Sequence, residues 1–140
     1  MTLRLATSDD AAAIAAVYRL SAWHPHIHTP EEDIAFFRDR MLAEQTVWVI
    51  EGEGGLIGYL GGVPGWVNHL FVHPDHQGAG YGSRLLKRAM EGSEIVQLWT
   101  FQGNTKARAF YEAKGFVAVE FTDGARNEEK LPDVRYEWRR

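Results

Sequence analysis

A mixed α/β layer with a β-hairpin near its middle is the fold class this sequence predicts. Strand-like and helix-like segments alternate along the chain, a Gly-Glu-Gly-Gly turn at 52–55 folds two neighbouring strands together, and a strand at 66–73 runs directly into a glycine-rich helix start. The hairpin separates this order from a plain βαβ repeat.

Leu3 and Leu5 alternate with polar neighbours and predict a short first strand. Ser8 reads as a helix N-cap, with Asp9 and Asp10 placing negative charge in the first turn, and Ile14, Val17 and Tyr18 keep helical spacing to about Leu20. The loop Trp23-His24-Pro25-His26-Ile27-His28-Thr29-Pro30 follows. Thr29 and Glu32 form a capping-box pattern with Pro30 at the favoured first helical position, and Ile34, Phe37 and Met41 mark the apolar face of a second helix. Thr46–Glu51 and Leu56–Leu60 are the hairpin strands, and Gly61, Gly62, Pro64 and Gly65 are expected to break the chain after them. Trp66–His73 is a strong strand ended by Pro74. A helix from about Gly80 to Glu91 shows Leu85, Leu86, Ala89 and Met90 on one face. Ile95–Phe101 is strand-like, Asn104–Lys114 helical with Gly115 as its cap, and Phe116–Phe121 and Val134–Trp138 are the last two strands.

With 140 residues and no linker, repeat or low-complexity tract, the chain is expected to form a single domain over 1–140. The formal net charge of −4 argues against nucleic acid as the main partner, which needs a basic face. No apolar run approaches the ~20 residues that span a bilayer, so no membrane partner is expected. The N-terminus has no long apolar core after Arg4, so no secretory signal is expected either. Cysteine is absent, which excludes thiolate catalysis and Cys-based zinc sites and suits the cytoplasm. Composition leaves monomer and homodimer equally open.

The chemistry concentrates in Leu70-Phe71-Val72-His73-Pro74-Asp75-His76-Gln77-Gly78-Ala79-Gly80-Tyr81-Gly82-Ser83. An apolar strand enters a turn whose three alternate glycines leave main-chain amides uncovered, and the helix start adds partial positive charge. This is a site for a phosphate or pyrophosphate. Residues 77–90 support it with Arg84, Lys87 and Arg88 and no acidic residue, although for any one of these cations a solvated helix face is the better account. A dinucleotide fingerprint fails because Ser83 stands where its third glycine belongs, and no P-loop run exists.

The loop Gln77-Gly78-Ala79-Gly80-Tyr81-Gly82, preceded by Leu70-x-Val72-x-Pro74, resembles the signature of the GNAT superfamily of acyl-CoA N-acyltransferases. About two dozen residues downstream, Asn104 and Ala109-Phe110-Tyr111-Glu112-Ala113-Lys114-Gly115-Phe116 resemble that superfamily's second segment. The resemblance is specific over 66–121 and compatible in element order elsewhere. It implies a central mixed, mostly antiparallel sheet of six to seven strands, splayed in the middle and flanked by about four helices. It further implies acetyl-CoA as cofactor and transfer of its acetyl group to a primary amine, with a small molecule favoured as acceptor. The main chain of Leu70, Phe71 and Val72 would pair with pantetheine. Gln77 and the amides of Gly78, Ala79, Gly80, Tyr81, Gly82 and Ser83 would hold the pyrophosphate. Asn104 would contact the pantetheine arm, Phe110 would pack on it, and Tyr111 would protonate the departing thiolate. Lys87, Arg88 and Arg108 are candidates for the terminal phosphate.

An alkyl amine with a pKa of about 10.4 is mostly protonated at pH 7, and freeing it costs roughly 4–5 kcal/mol, so a base is needed. Many members of the superfamily place a glutamate near the start of the strand that here reads Trp66-Val67-Asn68-His69, which lacks a carboxylate. His69 is the candidate base, on the face opposite Leu70 unless a bulge intervenes. His24, His26 and His28 lie in the loop bordering the superfamily's acceptor site. They also suggest a rival metal-binding reading, with His69, His73 and His76 as a second group. Pro25 and Pro30 and the unexplained glycine loop weigh against that rival, and no metal is expected. A non-catalytic acetyl-CoA sensor is the other alternative. The acidic run Asn127–Asp133 is expected to be a solvated turn and tilts weakly towards a cationic acceptor.

Overall fold

The computed structural model describes residues 1–140. Its strands are β1 (Thr2–Leu5), β2 (Thr46–Gly52), β3 (Gly55–Val63), β4 (Trp66–Val72), β5 (Ile95–Phe101), β6 (Val117–Thr122) and β7 (Asp133–Arg139). The helices are α1 (Ala11–Ser21), α2 (Pro30–Phe36), α3 (Leu42–Glu44), α4 (Tyr81–Met90) and α5 (Thr105–Ala113). A π-helical turn, Phe37–Met41, joins α2 to α3, so four helical rods flank the sheet. The seven strands lie in the order β1-β2-β3-β4-β5-β7-β6, and every neighbouring pair is antiparallel except β4 with β5.

Each face of the sheet carries its own core. Ile14 and Val17 of α1, with Phe37 and Met41 of the second rod, pack on Val47, Val49 and Tyr59. Leu85 and Leu86 of α4 and Tyr111 of α5 pack on the opposite face with Val67, Leu98 and Tyr136. The apolar positions read at helical spacing face these two cores, buried or half-buried, as amphipathic periodicity requires.

Two local expectations change and a third holds. The first helix starts later than Ser8: Ser8–Asp10 is a 3-10 turn capped by Thr7. Asp10 is buried there, accepting from the Thr7 amide at 2.8 Å and from Arg4 at 2.8 and 2.9 Å. The Arg4 guanidinium holds the Asp10 carboxyl below the usual range. Gly61 and Gly62 do not break the chain but continue β3, where any side chain on Gly62 would collide with the Trp66 main chain. The capping box at Thr29 is present, with Glu32 N–H donating to Thr29 Oγ1 at 3.1 Å and Thr29 N–H donating to Glu32 Oε1 at 2.8 Å.

Two irregularities at the sheet's centre position everything that follows. Gly61 faces His69 but Gly62 faces Val67, so Asn68 is an extra, bulged residue in β4. The bulge reverses the alternation: Val67 and Leu70 share the α4/α5 face, whereas His69 and Phe71 turn to the α1/α2 face. Beyond it, β4 and β5 separate, paired only at Trp66–Gln97 and Val67–Leu98.

Candidate active site

The separation of β4 from β5 leaves a cleft through the sheet. On the α1/α2 side it has a volume of about 270 Å³ and is lined by Tyr18, His24, Asn68, His69, Phe101 and Tyr111 among others. On the α4/α5 side a second cavity of about 340 Å³ is lined by Leu70, Val72, Gly82, Asn104, Lys106 and Phe110. Trp23, Leu70, Phe71, Asn104, Ala107 and Tyr111 border both, so the two cavities are the ends of one passage.

The wall offered by β4 is a half-used ladder. His73 N–H donates to Ile57 O at 2.7 Å, and antiparallel alternation then gives Phe71 to β3 and turns the N–H and C=O of Leu70 and Val72 into the cleft. Val72 O faces that way, accepting from Gln77 Nε2 at 2.9 Å. The expectation that all three residues present their main chain to a ligand is corrected here: Phe71 contributes its ring instead, against Tyr18 and Tyr59.

Past Pro74 the chain enters the glycine loop. Gly78 and Gly80 have φ of 81° and 89°, the left-handed region that favours glycine, and a Cβ at either would point into open space. Gly80 is the N-cap of α4, where no side chain caps the helix. The amides of Gly78 to Ser83 donate to no carbonyl of the chain, because the turn leaves the first of them free and the first helical turn leaves the rest. A run of unclaimed N–H donors at a helix N-terminus is an anion site. Gln77 stiffens its edge, donating to Val72 O and accepting from Lys106 Nζ at 2.8 Å.

Lys106, outside the site residues expected from the sequence, is a cation beside this loop. Arg108 is committed elsewhere, donating to Tyr136 Oη at 3.0 Å and to Gln102 O at 3.2 Å. Arg88 stacks on Trp48 at 4.2 Å, and with Lys87 it lies in the last turn of α4, away from the loop at its start. Asn104 caps α5, its Oδ1 accepting from Ala107 N–H at 3.2 Å, and its amide group is left for the cleft. Phe110 packs edge-on to Tyr111 beside Gly82.

Tyr111 is buried against Phe110, Phe116 and Tyr136, and burial pushes its pKa well up, so it stays protonated. Its hydroxyl has no hydrogen-bond partner in the chain yet is not a sealed-off polar atom, so it meets the cleft.

His69 lines the cleft as expected, but within an aromatic cage of Tyr18, Phe36, Phe37, Tyr59 and Phe71. Burial, with His24 nearby, lowers its pKa to about 4, and Nδ1 is hydrogen-bonded to Tyr59 Oη at 3.2 Å. Accepting a proton from an ammonium of pKa near 10.4 would then be uphill by roughly 9 kcal/mol. His69 is built as a neutral wall.

The other histidines of the first loop are used separately. His24 binds Tyr18 Oη and Pro25 O, His26 binds Arg19 O, and His28 binds Glu128. No group of three or more His, Asp or Glu side chains converges as metal ligands. The acidic run is more than a solvated turn: Glu129 lines the cleft and also an adjoining groove of about 840 Å³ with Trp99, Thr100 and Phe101.

A family model for the acetyltransferase (GNAT) domain matches residues 43–118. The chain belongs to the GNAT acetyltransferase family. It is 31% identical over 139 residues to the L-amino acid N-acyltransferase MnaT of Escherichia coli, covering 85% of this chain and 81% of that protein. It is 30% identical over 118 residues to the peptidyl-lysine N-acetyltransferase YiaC of the same organism, covering 82% and 80%. Among solved structures, the putative acetyltransferase yncA of Salmonella typhimurium, with its cofactor acetyl-CoA, shares the fold at a TM-score of 0.74 and 22% identity, over 99% of this chain and 93% of that one. This GNAT chain is an acyltransferase that uses acetyl-CoA. Its residues fit that donor: unclaimed amides for a diphosphate adjoin an open strand edge for an extended amide-bearing arm.

Proposed function

We propose that this GNAT enzyme acetylates the primary amine of a small molecule bound at the α1/α2 end of the passage, with Tyr111 serving the departing sulfur. The observation that carries it is the two-pair contact between β4 and β5, which leaves an opening with a diphosphate-binding loop at one end and polar side chains at the other. Bound acetyl-CoA supplies a thioester carbonyl open to attack by an amine.

The amides of Gly78 to Ser83, edged by Gln77 and Lys106, hold its diphosphate. Leu70 and Val72 offer cleft-facing main-chain groups to its arm, and one of those N–H groups is placed to stabilise developing charge on the acyl oxygen. Asn104 reaches the arm with its free amide group, and Phe110 packs on it. Tyr111 Oη keeps its proton over the working pH range and donates it as the sulfur leaves. The dry surroundings that raise the Tyr111 pKa also raise that of a thiol beside it, so burial acts on donor and acceptor in the same direction.

The name of the amino-acid-acylating relative and the modest cleft volume both support a small acceptor. An acetyl-CoA-consumption screen over amino acids, polyamines, aminoglycosides and lysine-containing peptides tests it. Saturable turnover with at least one small amine is expected. Turnover confined to peptides would overturn the small-molecule assignment, and binding of acetyl-CoA without any turnover would leave a sensor instead.

A further inference from the structure

The geometry points to Tyr18 and His24 as the pair that takes the proton from the acceptor amine, an assignment that rests on the acetyltransferase reading above. Both residues line the α1/α2 end of the cleft together with Tyr111. His24 Nδ1 lies 2.8 Å from Pro25 O, an atom that can only accept, so Nδ1 carries the hydrogen. In the neutral ring Nε2 is then a bare lone pair, and Tyr18 Oη donates to it at 3.1 Å. This tautomer gives the tyrosine an outlet: a proton arriving at Tyr18 Oη from the ammonium displaces its own hydrogen along an existing hydrogen bond to His24 Nε2.

The loop holding His24 is fixed on both sides. His26 Nε2 donates to Arg19 O at 2.7 Å, and Arg19 reaches His28 O at 2.9 Å and Asp33 at 2.7 Å. The ring also meets Phe101 edge-on at 5.5 Å between centroids. The charged and titratable groups facing the pair are Arg19 from α1, Asp33 from α2, Tyr59 from β3, His69 from β4, Tyr111 from α5, and Glu128 and Glu129 from the loop before β7. Tyr18 stays protonated before transfer, because burial and those carboxylates push its pKa up to about 12.

The accounting closes. As the N–C bond forms and the C–S bond breaks, the ammonium nitrogen sheds two protons and the sulfur takes up one. The other leaves as the His24 imidazolium proton, which passes to solvent. The hydrogen that Tyr111 delivers is replaced by the second nitrogen proton through solvent. Tyr18 is the catalytic residue of the pair, and His24 acts through it.

Two readouts test the pair. A long-range 1H–15N spectrum of the unliganded protein should show His24 with an unprotonated Nε2 whose shift moves in Tyr18→Phe. A protonated Nε2 overturns the assignment without touching the acetyltransferase reading. Turnover is then followed against pH with L-methionine, spermidine and a lysine peptide as amines. The wild type should lose activity at low pH as Nε2 fills. Tyr18→Phe and His24→Gln should each lower kcat about 100-fold with acetyl-CoA affinity unchanged, and His24→Gln should remove that acid limb. His69→Gln should leave the limb in place. A His24→Gln enzyme within threefold of wild type with its acid limb intact overturns the pair. No turnover with any of the three amines overturns the pair and the small-amine reading together.

Discussion

The two ends of the passage are built from different materials. The α4/α5 end is dominated by main chain from one contiguous stretch, residues 70–83, with glycine setting its shape, a helix start setting its charge and a few side chains of α5 and its cap at the edge. The α1/α2 end is side chains gathered from four distant segments: Tyr18 and His24, His69, Phe101, and Glu129. Main-chain recognition suits a donor common to a whole family, because it depends on backbone course and tolerates sequence drift. Side-chain recognition suits an acceptor that differs from member to member.

That contrast can be broken from either end. The largest effect is expected from acid. His69 has a folded pKa of about 4 against about 6.5 when unfolded, so folding keeps it neutral. Its contribution to stability is therefore full above pH 6.5, declines as pH falls from 6.5 to 4, and is constant below. The loss approaches 3 kcal/mol, by order of magnitude. Chemical denaturation across this window should show that loss, and His69→Gln should flatten it.

Next is Gly80→Val. A β-branched residue at φ of 89° is strained and covers the amides, while open space around the site leaves the fold standing. Acetyl-CoA affinity by calorimetry should fall about 100-fold, roughly 2.7 kcal/mol, with little change in the acceptor end. Tyr111→Phe should lower kcat about 30-fold, roughly 2 kcal/mol, leaving acetyl-CoA affinity within twofold. Thr29→Ala removes the capping box that starts α2 and should cost about 1 kcal/mol of stability by thermal unfolding. Because Thr29 adjoins the acceptor-side loop, the amine KM should rise while acetyl-CoA affinity holds. The smallest effect is Lys106→Gln, about a twofold loss of acetyl-CoA affinity that disappears in high salt, since this lysine is exposed.

The same contrast explains what the sequence revealed. The seven strands, the hairpin, the capping box and the whole glycine loop follow from local spacing, so they were readable along the chain. The continuation of β3 through Gly61 and Gly62 was not, because those glycines answer a contact with Trp66 across the sheet. Nor was the bulge at Asn68, which decides the face His69 occupies. Tyr18 looked like a core aromatic at helical spacing, and no local signal tied it to His24 or to Glu129, more than a hundred residues away. Lys106 was findable in principle, in the first turn of the helix that Asn104 caps, but only the fold sets it against Gln77.

The central claim is that unclaimed amides at the start of α4 grip the diphosphate of the acetyl donor. A backbone 1H–15N titration of the protein with coenzyme A tests it most directly. The largest shifts should fall on Gly78 to Ser83, followed by Leu70 and Val72. Shifts concentrated instead in the groove between Trp99 and Asp133, with the glycine loop unmoved, would contradict the account.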